Sequence, residues 1–456
     1  MTCRFIPPYL LQHLATAAHD PVTGACGART LNLDGRLRAR REFAPRQSIV
    51  AVNGDEARVI HTAANTENLP GTVARSLGDA AVGDAAVDEA YDSSVQVLDM
   101  FADQFGRRSV DGNGATLVIT VHYGVDYDNA FWDGSQLVFG DGDGVVFDRF
   151  TKPADVMAHE FTHGVTQFTA GLIYADQSGA LNESVSDVFA AVTKQFVRSE
   201  TVDQADWLIG EGLFLPGVNA RALRSMLEPG TAYDDPQIGR DPQVGHMANY
   251  VETLEDNGGV HINSGIPNRA FALAALAIGG SSWEKAGRVW YDALTGGEVT
   301  ARSDFTSFAQ ATINSAVRVF PGDTSVADAI REAWSGVGVL GDAAAAGSPA
   351  EERLMDRPSP TSPPEPNAAE TVAVRRSGGY AGATRSAELD LNADPDGPGL
   401  RTLLTRVKVE EVPISQPTPD RFVYLVRCGE WQLTVPEQDL TPDLRQLVQI
   451  VLARGR

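Results

Sequence analysis

Two histidines four residues apart bracket a glutamate in His159-Glu160-Phe161-Thr162-His163, within the run PADVMAHEFTHGVTQFTAG. At about 100° per residue, helix positions four apart lie nearly on one face, one turn apart. Two imidazoles so placed can share one Zn²⁺, and the glutamate between them can reach a water on that metal. Such a site needs a third ligand and an open position. Twenty residues after His163 stands Glu183, in GALNESVSD (179–187), and Asp187 follows it by four. Glu183 as third ligand, with Asp187 behind it hydrogen-bonding a ligand imidazole, makes two layers of one site. The plainer alternatives are two surface histidines and two solvated carboxylates. The Ala, Leu, Val and Phe around the second pair speak against exposure.

Helices must hold these residues. The first pair sits in a helix expected to open near Pro153, and Ala-rich amphipathic helices continue to about residue 338. Upstream, residues 88–105 predict a helix with Tyr91, Val95, Leu98 and Phe105 near one face. Residues 115–124 and 135–148 predict strands with Gly-Asp turns. GDGDG (140–144) is read as a strand turn rather than a calcium loop. Strands and one helix first, then helices, is an α+β order rather than a βαβ repeat. Residues 341–371, rich in Pro, Ala, Ser and Glu, read as an extended linker. Beyond it, strands are expected at 372–382, 421–429 and 431–436, and a helix at 441–456. The expected division is 1–50, a basic N-terminal segment; 51–152, a strand-rich lobe; 153–340, a helical lobe; 341–371, the linker; and 372–456, a small α+β module.

Composition narrows the function. The 456 residues include 60 acidic and 37 basic ones, a net charge of −23. So acidic a chain is a poor ligand for nucleic acid or anionic membranes. Residues 1–47 carry a net +4, with seven Arg against Asp20, Asp34 and Glu42. A basic head that docks on an acidic body is one reading, a solvated arm the other. Three cysteines exclude a disulfide framework. No apolar run is long enough to span a membrane. The first residues lack a secretory signal pattern, so the chain is expected in the cytoplasm, or exported by a route without a signal peptide. A monomer is expected.

The sequence resembles the thermolysin family of zinc metallopeptidases. HEFTHGVTQFTAGLIY followed by SGALNESVSD carries the resemblance, with DNAFWDG (128–134) and DNGGVHINSGIPN (256–268), in order across residues 60–340. The resemblance implies a two-lobed α+β fold with the active helix between the lobes. It implies His159, His163 and Glu183 as zinc ligands and Glu160 as general base. Tyr174 and His261 would be the oxyanion donors, with Asp256 orienting His261. Asn129 and the backbone of Ala130 would be the strand edge that pairs with substrate. Arg224 would fix a substrate carbonyl, and Asn182 the substrate's far side. Val156 and Leu223 would be apolar walls after the scissile bond. The expected activity is a neutral endopeptidase cutting before bulky apolar residues. The rival reading is a silenced peptidase that acts as a binding or regulatory protein for other metallopeptidases.

Three departures from the pattern matter. Asp155, Asp206 and Glu211 resemble retained calcium ligands, but Lys194 and Leu208 stand where further carboxylates would be, so a double calcium site is not expected and a single Ca²⁺ stays open. Cys3 to Leu10 (CRFIPPYL) resembles the short pro-segment of the protealysin group, implying that Pro7, Pro8 and Tyr9 occupy or approach the cleft until cleavage within 44–62. Cys3 is a candidate switch thiolate, against the plainer reading of a free thiol. Last, VRRSGGYAG (374–382), Trp431 and the terminal helix resemble emfourin, a protein inhibitor of protealysin-like peptidases, so the chain is expected to carry a tethered inhibitor-like module.

Overall fold

The computed structural model describes residues 4–17, 21–41, 58–253, 255–341, 371–378, 385–392, 394, 397–406, 422–428 and 431–454. Cys3, residues 44–57 of the expected cleavage region, residues 342–370 of the linker and residues 379–382 of the VRRSGGYAG motif lie outside them. Two compact units divide the chain: Met1–Gly35 with Arg46–Ala343, and Arg36–Pro45 with Ala344–Arg456.

The first unit opens with α1 (Pro8–Ala17) and α2 (Pro21–Arg41), then β1 (Arg58–Thr62), β2 (Thr72–Ser76), α3 (Ala85–Phe105), β3 (Leu117–Val121), β4 (Ala130–Trp132) and β5 (Leu137–Phe139). The sheet order is β2-β1-β3-β5-β4. β1 pairs parallel to β3 and β3 parallel to β5, while β2 and β4 run antiparallel at the two edges. β1, α3 and β3 therefore form one parallel crossover, a single unit within the α+β order and not a βαβ repeat. The β2 strand between β1 and α3 hides it in the sequence.

α3 differs from its expected face. Val87, Ala90, Ser94, Val97, Leu98 and Phe101 are buried, whereas Tyr91, Val95 and Phe105 are only half-buried. The stripe is rotated towards Val97 and Phe101, because Phe101 packs on Phe161 and Phe189 of the helices beneath it. The strand expected over 135–148 is confined to β5. Asp143 accepts hydrogen bonds from the amides of Val145, Val146 and Phe147, so a side chain rather than a ladder holds that stretch.

The helical half contains α4 (Ala154–Gln167), α5 (Asp176–Arg198), two short ladders β6 (Leu208–Ile209) with β7 (Arg224–Ser225) and β8 (Asp234–Asp235) with β9 (Gly239–Arg240), then α6 (Asp256–Asn263), α7 (Gly265–Ile278), α8 (Ala286–Thr295), α9 (Phe305–Val319) and α10 (Thr324–Gly336). α4 is buried from Asp155 to Thr166 and α5 from Gly179 to Gln195. A helix buried all round is normally apolar. These two bury His, Glu, Asp, Asn and Ser, which must find their partners inside the protein. Gly164, next to His163, makes the close packing work: a Cβ there would come within 2.8 Å of Val110.

The second unit has a four-stranded antiparallel sheet in the order β11-β10-β12-β13, from β10 (Thr371–Gly378), β11 (Arg385–Asp390), β12 (Phe422–Cys428) and β13 (Trp431–Pro436). α11 (Gly397–Arg406) and α12 (Pro442–Arg454) complete it. Alternate strand residues Val372, Val374, Tyr424, Val426, Leu433 and Val435 join Leu444, Leu447, Val448 and Val451 of α12 in a separate small core. β11 and α11 were not expected from the sequence.

Candidate active site

α4 and α5 lie side by side and aim four groups at one point. His159, His163 and Glu183 each bring a ligand atom to within 4.8 Å of the others. The two imidazole Nε2 atoms are 3.0 Å apart, and each lies 3.5 Å from a Glu183 oxygen. The outer nitrogens are anchored: His159 Nδ1 donates to Asp187 Oδ1 (2.9 Å), and His163 Nδ1 lies 2.8 Å from Asn182 Oδ1 and 3.0 Å from Ser186 Oγ. Anchored Nδ1 atoms leave both Nε2 atoms facing inward, as metal-bound histidines require.

Electrostatics favours a cation at this point. Burial works against a charged His159, but its hydrogen bond to Asp187 and the carboxylate of Glu183 nearby outweigh it and raise its pKa to about 9. Burial pushes His163, which has no carboxylate on Nδ1, down to about 3. Burial would also raise Glu183, yet His261 and the two other imidazoles hold it well below the usual carboxylate range. The pair of rings thus holds one positive charge beside an ionised carboxylate. Glu183 Oε2 is buried without a hydrogen-bond partner. Two N donors and a carboxylate, each with an outer anchor, fit a Zn²⁺.

Glu160 points into the same space. Its Oε2 accepts the Trp132 amide (2.7 Å), while Oε1 is buried and has no hydrogen-bond partner. Burial pushes its carboxyl up to about 8; a neighbouring metal cation opposes that shift.

α6 brings the third imidazole, His261. Asp256, Asn257, Gly258 and Gly259 all have positive φ (50°, 53°, 89° and 73°). This left-handed run folds Asp256 back so that its carboxylate accepts from His261 N (2.9 Å) and meets His261 Nδ1 (2.6 Å). Burial opposes a charge on His261, but Asp256 and Glu183 prevail and its pKa is raised. His261 Nε2 lies 3.2 Å from the Tyr174 hydroxyl, which also donates to Glu183.

The N-terminal segment lies across this group. Phe5 N donates to Ala130 O on β4 (3.1 Å), Ile6 N donates to Asn129 Oδ1 (2.8 Å), and Asn129 Nδ2 donates to Ile6 O (3.2 Å). Arg224 Nη1 donates to Phe5 O (3.1 Å) while its Nε and Nη2 grip Asp187 (both 2.8 Å). His261 Nε2 lies 2.9 Å from Arg4 O. The residues in the cleft are therefore Arg4, Phe5 and Ile6. Pro7, Pro8 and Tyr9 approach it: the chain turns at Pro7, Pro8 opens α1, and the Tyr9 hydroxyl is close enough to Asp256 and Arg224 to feel their charges. Val156 and Leu223 share a buried cluster with Phe5.

Asn182 departs from its implied role on the substrate. It is buried, and its two amide ends are used on His163 and on Leu172 O (3.1 Å). The three acids expected around calcium also have other partners. Lys194 Nζ lies 2.7 Å from Asp206 and 3.1 Å from Glu211, and Arg198 pairs with both at 3.2 and 3.0 Å. Asp155 accepts the Gly210 amide. Lys194 and Arg198 offset Asp206 and Glu211, which makes those two acids poor Ca²⁺ donors, while Asp155 Oδ1 stays buried without a hydrogen-bond partner.

Some functional contacts had no signal in the sequence. Asp34 is a buried hub: it pairs with Arg4 (3.1 Å), accepts from Tyr127 OH (2.6 Å) and from Asn129 Nδ2 (3.3 Å). Asn268 donates to Asp187 (2.8 Å); it stands in the DNGGVHINSGIPN motif, where its place beside His261 was a usable clue.

A mixed sheet beside a helical lobe, with a buried His-Glu-His-Glu cluster between two central helices, defines a thermolysin-like metallopeptidase. The thermolysin metallopeptidase catalytic domain matches residues 48–167, its alpha-helical domain residues 170–339, and emfourin residues 374–452. The chain belongs to the thermolysin family, is a zinc metalloendopeptidase, and carries an emfourin domain. It is 50% identical to an extracellular metalloprotease of Pectobacterium carotovorum subsp. carotovorum over 337 residues, 74% of this chain and 96% of that one. It is 42% identical to protease PrtS of Photorhabdus sp. (strain Az29), covering 73% and 91%. The precursor of protealysin, a metalloproteinase from Serratia proteamaculans, superposes with a TM-score of 0.68 at 48% identity, over 74% of this chain and all of that one. Among the described residues, no helix is long and apolar enough to cross a membrane.

Proposed function

We propose that the chain is made as a zymogen, that its mature form cuts peptides before bulky apolar residues, and that the C-terminal module restrains it. A Zn²⁺ held by His159, His163 and Glu183 supplies Lewis-acid polarisation and an acidified water. Glu160, through its free Oε1, takes the water's proton and delivers it to the leaving nitrogen. Tyr174 and the charged imidazole of His261 donate to the developing oxyanion. Asn129, Ala130 O and Arg224 hold the substrate backbone, which gives sequence-tolerant affinity.

The observation that carries the zymogen reading is Arg4–Ile6 bonded to these same groups: while it stays there, no substrate can. The buried Phe5 ring, which lies beside Gly210 together with Leu223, supports the preference for apolar residues after the cut. Kinship with extracellular metalloproteases of Pectobacterium carotovorum and Serratia marcescens favours export over a cytoplasmic role.

The test uses a quenched peptide with Phe or Leu after the scissile bond. The samples are the full chain, residues 1–345, the same with Glu160→Gln, and either with a zinc chelator. Residues 1–345 should process themselves and cleave it. Glu160→Gln should lose activity by about 10³-fold or more while keeping one bound zinc. A processed, zinc-loaded and inert 1–345 would sink the reading.

A further inference from the structure

The hydrogen bonds in the cleft give the N-terminal segment a direction. Phe5 offers its N–H to β4 and its carbonyl to Arg224, and Ile6 is gripped at both ends by Asn129. The carbonyl just before them, Arg4 O, faces His261 Nε2 at 2.9 Å, beside the Tyr174 hydroxyl. These are the donors that receive the oxyanion. The peptide presented to them is Arg4–Phe5, running in the sense of a substrate and not reversed.

The side chains agree with the backbone. The Phe5 ring meets the His159 ring edge-on, with centroids 5.1 Å apart, and the Arg224 guanidinium lies 4.9 Å from it. The pocket wall at Gly210 is bare backbone: a Cβ there would come within 3.2 Å of the Phe5 ring. Phe5 therefore fills the place of a residue that follows a cut. On the other side, Arg4 and Asp34 form an ion pair at 3.1 Å, each only 4% exposed.

We propose that Arg4–Phe5 is itself a bond this peptidase hydrolyses, so that the docked segment is a bound substrate and not an inert plug. The proposal rests on the endopeptidase reading above. A water oxygen bonds to the Arg4 carbonyl carbon and the bond to Phe5 N breaks. Glu160 passes the water's proton to that nitrogen, leaving a carboxylate on Arg4 and an amine on Phe5. The cut is reversible, because the buried Arg4–Asp34 pair and the Asn129 clamp hold both ends in place, so the cleaved form accumulates only as its ends separate. It is separate from any processing within 44–62.

The experiment follows the N-terminus of the metal-free full chain after zinc is added, by intact mass and N-terminal sequencing. A species starting at Phe5 should appear at a rate independent of chain concentration, as an intramolecular cut requires. It should be absent in Glu160→Gln and in Phe5→Asp. A readout free of turnover accompanies it: amide exchange in the full Glu160→Gln chain, where the Phe5 and Ile6 amides should be protected and should lose protection in Phe5→Asp. If the mature enzyme cleaves the quenched peptide while every N-terminal fragment keeps Arg4–Phe5 intact, or if those two amides exchange freely, the proposal is overturned and the endopeptidase reading survives. If neither bond is cut, both fall together.

Discussion

His122 is a titratable residue whose behaviour follows from two contacts. Its Nδ1 lies 2.8 Å from Asp141, and its Nε2 lies 3.1 Å from Asp84, the N-cap of α3. The Asp141 hydrogen bond, against some burial, raises its pKa to about 9. A raised folded-state pKa means the stabilisation is complete below the unfolded value of about 6.5 and disappears as pH rises through about 9. His122 has φ of 54°, so Asn, which tolerates that region, is the fitting replacement. In the Glu160→Gln background, His122→Asn should lower the thermal midpoint at pH 6 and make little difference at pH 9.5. A gap that does not close with pH would refute the assignment. Lys194 gives a second expectation at this scale. Because its ammonium and Arg198 already neutralise Asp206 and Glu211, a calcium-selective chelator should leave the thermal midpoint of the zinc-loaded protein unchanged. A drop of several degrees, reversed by Ca²⁺, would show that the acids take calcium after all.

At the scale of elements, the left-handed turn that opens α6 sets the position of His261. Gly258 sits at φ 89°, and a Cβ there would fall 2.2 Å from Asp176 Oδ1. Gly258→Ala strains the backbone and pushes α6 away from α5, moving His261 off the cleft. A displacement near 1 Å costs about 100-fold in rate, so kcat should fall by roughly that factor with zinc content unchanged. Near-normal kcat would mean that the turn is a packing detail. How much the sequence reveals follows from the range of each contact. The convergence of His159 and His163 needs only the helix period, and Glu183 with Asp187 repeats it. The His261 turn shows in its paired glycines. The crossover β1-α3-β3 does not show, since β2 interrupts it. Nor does Asp34, whose partners lie 30, 93 and 95 positions away. A lone Asp in a basic stretch has no periodicity to betray it, and the segment's seating in the cleft, one turn upstream of Pro7–Tyr9, depends on that contact.

At the scale of the whole molecule, the question is what a tether does to a module that need bind only weakly. Residues 342–370, rich in Pro, Ala and Ser, join the peptidase to the emfourin domain in one chain. Such a link gives an effective concentration on the order of millimolar. If the emfourin domain acts on its own peptidase, inhibition in the intact chain must be independent of protein concentration, because the partners never separate. Cutting the tether converts the same contact into a bimolecular one that dilution breaks. A site for a sequence-specific protease placed within residues 345–365 makes the comparison in one sample, after the N-terminal segment has been removed. Before the cut, specific activity on the quenched peptide should be low and flat from nanomolar to micromolar enzyme. After it, activity should rise on dilution and fall again when the free module is added back. If cutting changes nothing at any dilution, the module is no brake on its own chain, and the emfourin fold here must serve a different peptidase or a different purpose.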